Sequence, residues 1–299
     1  MEKIIYLGKK DRQHKEIEDG VMDSFKLMGY KVELFDDQNY NPEEVINACK
    51  GAKLFLFHKG GFSTKGDSDM YNSIDKLTYT LNKIECPRVL WFVDKVYMER
   101  EILIDRIIDF VDYSFFTDET FLRRHKIPNG FSLKQGCQIK RFKGKKNPAF
   151  ECDVAFIGDI YGERQMFVKA LGQLLGDKFR TYSSVYDKDF ADLCKSARVI
   201  ISPNYPMDDF YWSNRIYDVL GNGGFLFHPD LEGLKGTGIL EGQHFIGYSN
   251  WLDIEDKLEY LLSPKANKLI KSVTKQGQKE VITNHTYLTR CRKIIEIVK

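Results

Sequence analysis

The sequence predicts an α/β protein of two domains in series, each a parallel sheet covered by helices. Three observations carry this reading. Short apolar runs alternate with segments of helical spacing along the whole chain. Several runs are apolar without interruption, the pattern of strands buried on both faces of a parallel sheet. The alternation breaks once, at the basic and polar stretch 138–148, QIKRFKGKKNP, and then restarts.

The elements follow in order. Lys3 to Leu7 is a short apolar run ending at Gly8, and Ile17, Val21, Phe25 and Met28 then fall on one helical face before the stop at Gly29. Lys31 to Phe35 reads as a second strand. Asn41-Pro42-Glu43-Glu44 has the chemistry of a helix start: Asn caps, Pro fits the first turn, and the acids suit the positive end of the helix dipole. Leu54–Phe57 and Val89–Val93 are the two uninterrupted runs, and Asp112 to Phe116 is a weaker fifth strand. Between them Gly60 to Asp69, rich in Gly, Ser and Asp, is expected to be a mobile loop. The stretch 138–148 is expected to be a solvated linker or a basic lip that attracts phosphate.

The second half opens with the strand Asp153–Gly158 and a helix from about Tyr161 to Leu175. Strands are expected near Phe179–Tyr182, Arg198–Ser202, Phe225–Phe227 and His244–Ile246, with helices near 188–196, 213–221 and 251–262. From Pro264 onward the chain reads as helical. The domains are therefore expected at 1–141 and 142–283. Ligands of such sheets bind at the carboxyl ends of the strands.

Bulk composition narrows the class. At 299 residues the chain suits two domains, and with 42% hydrophobic and 29% charged residues it can build packed cores. A net charge of +2 argues against a dedicated nucleic-acid binder while leaving room for a local basic patch. The run Ile4–Leu7 is too short for a signal-peptide core, and no stretch of 18 apolar residues exists, so a soluble, cytoplasmic protein is expected. The six cysteines form no CxxC pair and are expected to be reduced and structural.

Two segments carry candidate chemistry. In Gly158-Asp159-Ile160-Tyr161-Gly162-Glu163-Arg164 a strand ends in glycine and a helix begins, so backbone N–H groups and Arg164 can receive an anion. An ordinary βα turn has the same glycine, and the segment is not the dinucleotide fingerprint GxGxxG. In Trp212-Ser213-Asn214-Arg215-Ile216-Tyr217-Asp218-Val219-Leu220-Gly221-Asn222-Gly223-Gly224-Phe225, Arg215 and Asp218 lie three apart on one helical face. A diphosphate needs a cation and a sugar diol needs a carboxylate; a plain surface ion pair fits the spacing equally well. The aromatics Tyr205, Phe210, Tyr211 and Trp212 suit sugar or base stacking, or core packing.

This second half resembles the C-terminal domain of CgeB-like glycosyltransferases, related to the large retaining family of GT-B fold. Asn214-Arg215, Asp218 and Gly223-Gly224-Phe225 match in order and spacing, with Asp218 standing where the family has Glu. Asp153–Gly158 followed by Tyr161-Gly162-Glu163-Arg164, Glu241-Gly242, and Asn284-His285-Thr286-Tyr287 with Arg290 extend the resemblance over residues 151–299. It implies a GT-B fold: two Rossmann-like domains facing a central cleft, with residues 284–299 as a final helix crossing back to the first domain.

The resemblance also implies a nucleotide sugar, UDP-linked by default, as co-substrate with no other cofactor. Arg215 would sit by the diphosphate with Gly158, Asp159, Tyr161 and Arg164. Asp218 and Asn214 would face ribose or sugar hydroxyls. Asn204 would face base or sugar, and Gly223 and Gly224 would complete the donor site. His285 and Tyr287 are expected to fix the last helix. The first domain would take the acceptor, with Asp94 and His58, each directly after a buried strand, as candidate catalytic groups beside Asp218; a capping or loop role suits either equally well. Gly8 would give close backbone access. No metal is expected, because no DxD is placed convincingly: Asp67-Ser68-Asp69 matches the letters but lies in the acceptor half, away from the expected diphosphate. The acceptor stays open among glycan, protein, small molecule and modified DNA, the last resting on Lys140, Arg141, Lys143, Lys145 and Lys146. Rival functions share the fold: a nucleotide-sugar epimerase or a phosphorylase, and a non-catalytic glycan- or coat-associated binding protein. Retention of configuration is an expectation of the family alone.

Overall fold

The computed structural model describes residues 1–10, 16–58, 67–138, 143–205 and 207–298. The chain divides into two units, Met1–Gln135 with Tyr287–Lys299, and Gly136–Thr286. Both are parallel-sheet α/β units of Rossmann-like type.

In the first unit the strands are β1 (Lys3–Gly8), β2 (Lys31–Asp36), β3 (Leu54–Phe57), β4 (Arg88–Phe92), β5 (Tyr113–Phe116) and β6 (Gly130–Ser132). They pair in parallel in the order β2-β1-β3-β4-β5-β6. The uninterrupted runs are the central strands: every residue of Leu54–Phe57 is buried, as are Val89–Phe92. Each such side chain removed from water contributes on the order of 1.5–3 kcal/mol. The connecting helices are α1 (Glu16–Leu27), α2 (Pro42–Cys49), α3 (Asp67–Lys83), α4 (Met98–Ile107) and α5 (Glu119–Arg124). α2 starts where its residues dictate, with the Asn41 side chain accepting from the Glu43 N–H and Pro42 in the first turn.

Three details differ from the sequence reading. Asp67-Ser68-Asp69 opens α3 rather than closing a loop; residues 60–66 of the expected loop lie outside the described residues. β6 is a three-residue edge strand too short to read from periodicity. The stretch 143–148 is fastened to the second unit rather than free: the Lys145 N–H donates to Asp192 Oδ1 at 2.8 Å and the Asn147 N–H to Ser196 Oγ at 2.8 Å. Lys140 and Arg141 lie outside the described residues, while Lys143, Lys145 and Lys146 are exposed.

The second unit has β7 (Cys152–Ile157), β8 (Phe179–Tyr182), β9 (Ala197–Ile201), β10 (Leu226–Pro229) and β11 (Ile246–Tyr248), parallel in the order β11-β10-β9-β7-β8. Its helices are α6 (Glu163–Leu175), α7 (Asp187–Ser196), α8 (Arg215–Gly221), α9 (Glu232–Lys235), α10 (Trp251–Leu262) and α11 (Asn267–Asn284). β11 starts two residues later than expected because His244 is occupied in the preceding turn, its Nδ1 accepting from the Leu240 N–H at 3.0 Å.

The last helix, α12 (Tyr287–Ile297), belongs to the first unit and packs on α1. Gly20 makes this possible: a Cβ there would overlap the Tyr287 ring, which lies directly on the helix backbone. Arg290 Nε donates to the carbonyls of Lys134 and Gln135 at 3.0 and 3.1 Å, fixing the other side. All six cysteines are free thiols. Among the described residues no helix is long and apolar enough to cross a membrane.

Candidate functional site

In the second unit α8 runs back against the strands, so its first residues stand at their carboxyl ends and its last residues at their amino ends. β7 ends at Gly158, which adopts φ +133°, a region that side chains disfavour. Arg215, the first residue of α8, lays its guanidinium on this glycine: a Cβ at position 158 would overlap Nη2 and stand 3.0 Å from Cζ. Glycine is required here for both reasons. Nη1 of Arg215 is shielded from solvent and has no hydrogen-bond partner.

Arg164, in the first turn of α6, stands nearby. Its guanidinium lies over the Tyr161 ring at 4.8 Å and its Nη1 donates to the Asp159 carbonyl at 3.4 Å, while Nε is shielded and unpartnered. The N-cap of this helix is Gly162, which offers no side-chain cap. Burial, followed by the like charge of Arg164, pulls the Arg215 pKa down to about 10, against the attraction of Asp218. Arg215 therefore stays cationic at neutral pH. Two guanidinium groups held against their mutual repulsion, each with an N–H lacking an acceptor, form a seat for a multiply charged anion.

Asp218 stands one turn along α8, nearly buried, and its Oδ2 accepts from Asn214 Nδ2 at 2.7 Å. Asn214 thus orients the carboxylate. Asp159 and Tyr161 flank the seat on an exposed turn. His228, absent from the sequence reading, lies at the carboxyl end of β10 and is 2% exposed. Its Nδ1 is 2.8 Å from the Pro229 carbonyl, which places the proton on Nδ1 and leaves Nε2 as an acceptor. Burial, reinforced by the Arg215 charge and opposed by the Pro229 carbonyl, lowers its pKa to about 4. The signal was present: His228 directly follows the buried run Phe225–Phe227, the rule that selected Asp94 and His58.

Three donor-site expectations are corrected. Asn204 is buried, and its Nδ2 donates to the carbonyls of Asp208 and Tyr211 at 3.2 and 2.8 Å, so its donors clamp a loop instead of facing a ligand. Gly223 and Gly224 precede β10 and lie at the amino ends of the strands, the end away from Gly158. Gly223 has φ +70° and carries Lys195 and Gln278 against it; Gly224 admits Ile200 and Val219. Both are glycine for packing. Trp212 is likewise core, its Nε1 donating to the Tyr217 hydroxyl at 3.0 Å.

In the first unit His58 ends β3 but is 3% exposed, wedged edge-on between Tyr6 and Trp91 with Nδ1 3.2 Å from the Tyr6 hydroxyl. His58 is thus packed among aromatic rings at the end of its strand rather than on an open loop. Asp94 follows β4, partly exposed, and pairs with Arg100 at 3.1 Å. Gly8 is closed over by Glu18 and Tyr6, either of which a Cβ would press against, so it grants no open backbone access. Glu18 is buried, and desolvation raises its pKa. His285 stacks on Tyr217 and its carbonyl accepts from the Cys137 N–H at 2.8 Å. Among the described residues no three His, Cys, Asp or Glu side chains converge as metal ligands.

Comparison with known proteins gives a consistent picture. A search of curated proteins by sequence returned no match. Several solved structures share the fold over the full chain. An alpha-glucosyltransferase in complex with UDP and a 13-mer DNA containing an HMU base aligns with TM-score 0.73 at 8% identity, covering 99% of each chain. HepE of Anabaena, in complex with UDP and glucose, aligns with TM-score 0.66 at 10% identity, again covering 99% of each. A glycosyltransferase from Rickettsia africae aligns with TM-score 0.66 at 12% identity, covering 100% of this chain and 98% of that one. Residues 162–296, the segment that holds Arg164, Arg215, Asp218 and His228, match the family model described as glycosyl transferase-like.

Proposed function

We propose that the protein is a glycosyltransferase that moves a sugar from a nucleoside-diphosphate sugar, UDP-linked, to a hydroxyl acceptor, and that it belongs among the CgeB-like enzymes. The observation that carries this is the seat made by Gly158, Arg164 and Arg215, whose two arginines lie in the segment with a glycosyl transferase-like match. In the reaction the bond between the sugar C1 and the diphosphate oxygen breaks and its electron pair leaves with the diphosphate. The acceptor oxygen bonds to C1, and its proton passes to solvent or to a carboxylate. Arg215 and Arg164 stabilise the departing charge, as preorganised cations do elsewhere. With two fixed cations at the seat, the reaction needs no metal for leaving-group charge. Asp218, oriented by Asn214, is assigned to donor hydroxyls, and Asp94 to the acceptor hydroxyl. The products UDP and glycoside follow, with retention as the family expectation.

Calorimetric titration with UDP, GDP, ADP and TDP tests the reading. One nucleotide is expected to bind, and Arg215→Ala to weaken it by roughly 10- to 100-fold, the worth of a hydrogen bond to a charged group. Failure of all four to bind overturns the proposal. Binding without sugar transfer or donor hydrolysis supports a non-catalytic binding protein instead, a reading favoured by the Asp at 218 in place of Glu.

A further inference from the structure

A concavity of about 530 Å³ opens at the carboxyl end of β2, the edge strand of the first sheet, within the size range of small-molecule sites. Phe35 and Asp36 from the strand, Gln38 and Asn39 from the turn, and Asn41 and Glu44 from the start of α2 line it. None of these residues takes part in the chemistry assigned above.

Several of the lining groups are held before any ligand arrives. Asp36 accepts the Gln38 N–H on Oδ1 at 2.8 Å and the Lys10 N–H on Oδ2 at 3.4 Å, so the carboxylate cannot swing. Asn41 uses its side-chain oxygen to cap α2, with the Glu43 N–H at 2.9 Å, so what it offers the groove is its NH2. Tyr40, which forms part of the floor, is buried and carries the Lys76 ammonium over its ring at 4.2 Å.

The chemistry selects a ligand class. A sugar hydroxyl both donates and accepts, and neighbouring hydroxyls present two donors that one carboxylate can take together. Carboxylates, amides and aromatic edges side by side satisfy such a ligand. A phosphate only accepts; it would meet two carboxylates, Asp36 and Glu44, while among the described residues Lys10 is the one cation in the lining, with the Lys76 ammonium turned to the Tyr40 ring. We propose that this groove binds a neutral sugar residue of a glycan acceptor, holding the chain at the β2 edge of the first unit. The proposal rests on the glycosyltransferase reading and names its acceptor class as glycan rather than nucleic acid.

The test uses the full chain and four probes, maltotriose, cellotriose, mannotriose and β-1,4-galactotriose, followed by saturation-transfer NMR and titration. A 13-mer DNA duplex is run in parallel. At least one trisaccharide is expected to bind, with Asp36→Asn and Glu44→Ala each weakening it ten-fold or more. Glu44 is exposed, so its variant keeps the test open if Asp36→Asn does not fold. The proposal is overturned if no trisaccharide binds, if the variants leave binding unchanged, or if it is the duplex whose binding they abolish. UDP titration of the same preparation reports on the donor seat separately. Loss of UDP binding with trisaccharide binding intact sinks the functional reading and not the groove.

Discussion

Gly158→Ala puts the donor seat under a quantitative test. The new methyl group would do two things. It would force a side chain onto a backbone at φ +133°, which costs on the order of 1–3 kcal/mol of stability. It would also overlap Arg215 Nη2, and the guanidinium, being the end of a flexible side chain, would move away. If Arg215 holds the diphosphate, that displacement removes about 1.5–3 kcal/mol of binding, or roughly 10- to 100-fold in Kd. The assay is titration of UDP into wild type, Gly158→Ala, Arg215→Ala and the double variant, with urea unfolding to separate stability from affinity. Because the methyl group acts through the arginine, the two losses should not add. In the Arg215→Ala background the Gly158→Ala change should cost about two-fold or less. Full additivity, with each substitution weakening UDP equally in either background, would refute the claim that the arginine and the glycine form one seat.

Three other outcomes are expected. Gly223→Ala should lower stability by about 1–2 kcal/mol through its φ of +70° yet leave UDP affinity within two-fold, since it sits at the opposite strand ends; urea unfolding and titration measure both. Stability should fall as pH drops from about 6.5 to about 4, because the unfolded chain takes up a proton that buried His228 refuses; the loss is on the order of 3 kcal/mol. His228→Asn should flatten that slope in pH-dependent unfolding, leaving a smaller slope of the same sign from His244, whose pKa burial also lowers. Gly20→Ala should destabilise the first unit by about 1–3 kcal/mol by lifting Tyr287 off α1, with tryptophan fluorescence reporting the change around Trp91, whose ring lies 6.1 Å from that of Tyr287.

Legibility in the sequence followed the physics of burial. Leu54–Phe57 and Val89–Phe92 were readable because a strand buried on both faces must be apolar at every position. The start of α2 was readable because its cap uses only neighbouring residues. Arg215 and Asp218 were readable as a pair, whereas the seating of Arg215 on Gly158 joins residues 57 positions apart and appears only in three dimensions. Gly223 and Gly224 were misplaced because a motif gives order along the chain but not which end of the sheet a turn occupies. Asn204 was misread for another reason: polar residues after strands look alike in sequence, whether they face a ligand or are consumed by a loop carbonyl.

The return of α12 to the first unit has a consequence for the order in which the protein becomes complete during synthesis. The second unit, Gly136–Thr286, is continuous and has all its residues once Thr286 has emerged. The first unit has its strands earlier in the sequence but lacks the helix that covers Val21, Phe25 and Trp91 until residues 287–297 are released. The half made first is therefore finished last, and meanwhile it exposes an apolar face on the ribosome. A nonsense or frameshift lesion within residues 287–297 would thus damage the unit whose sheet is encoded far upstream, in residues 3–132.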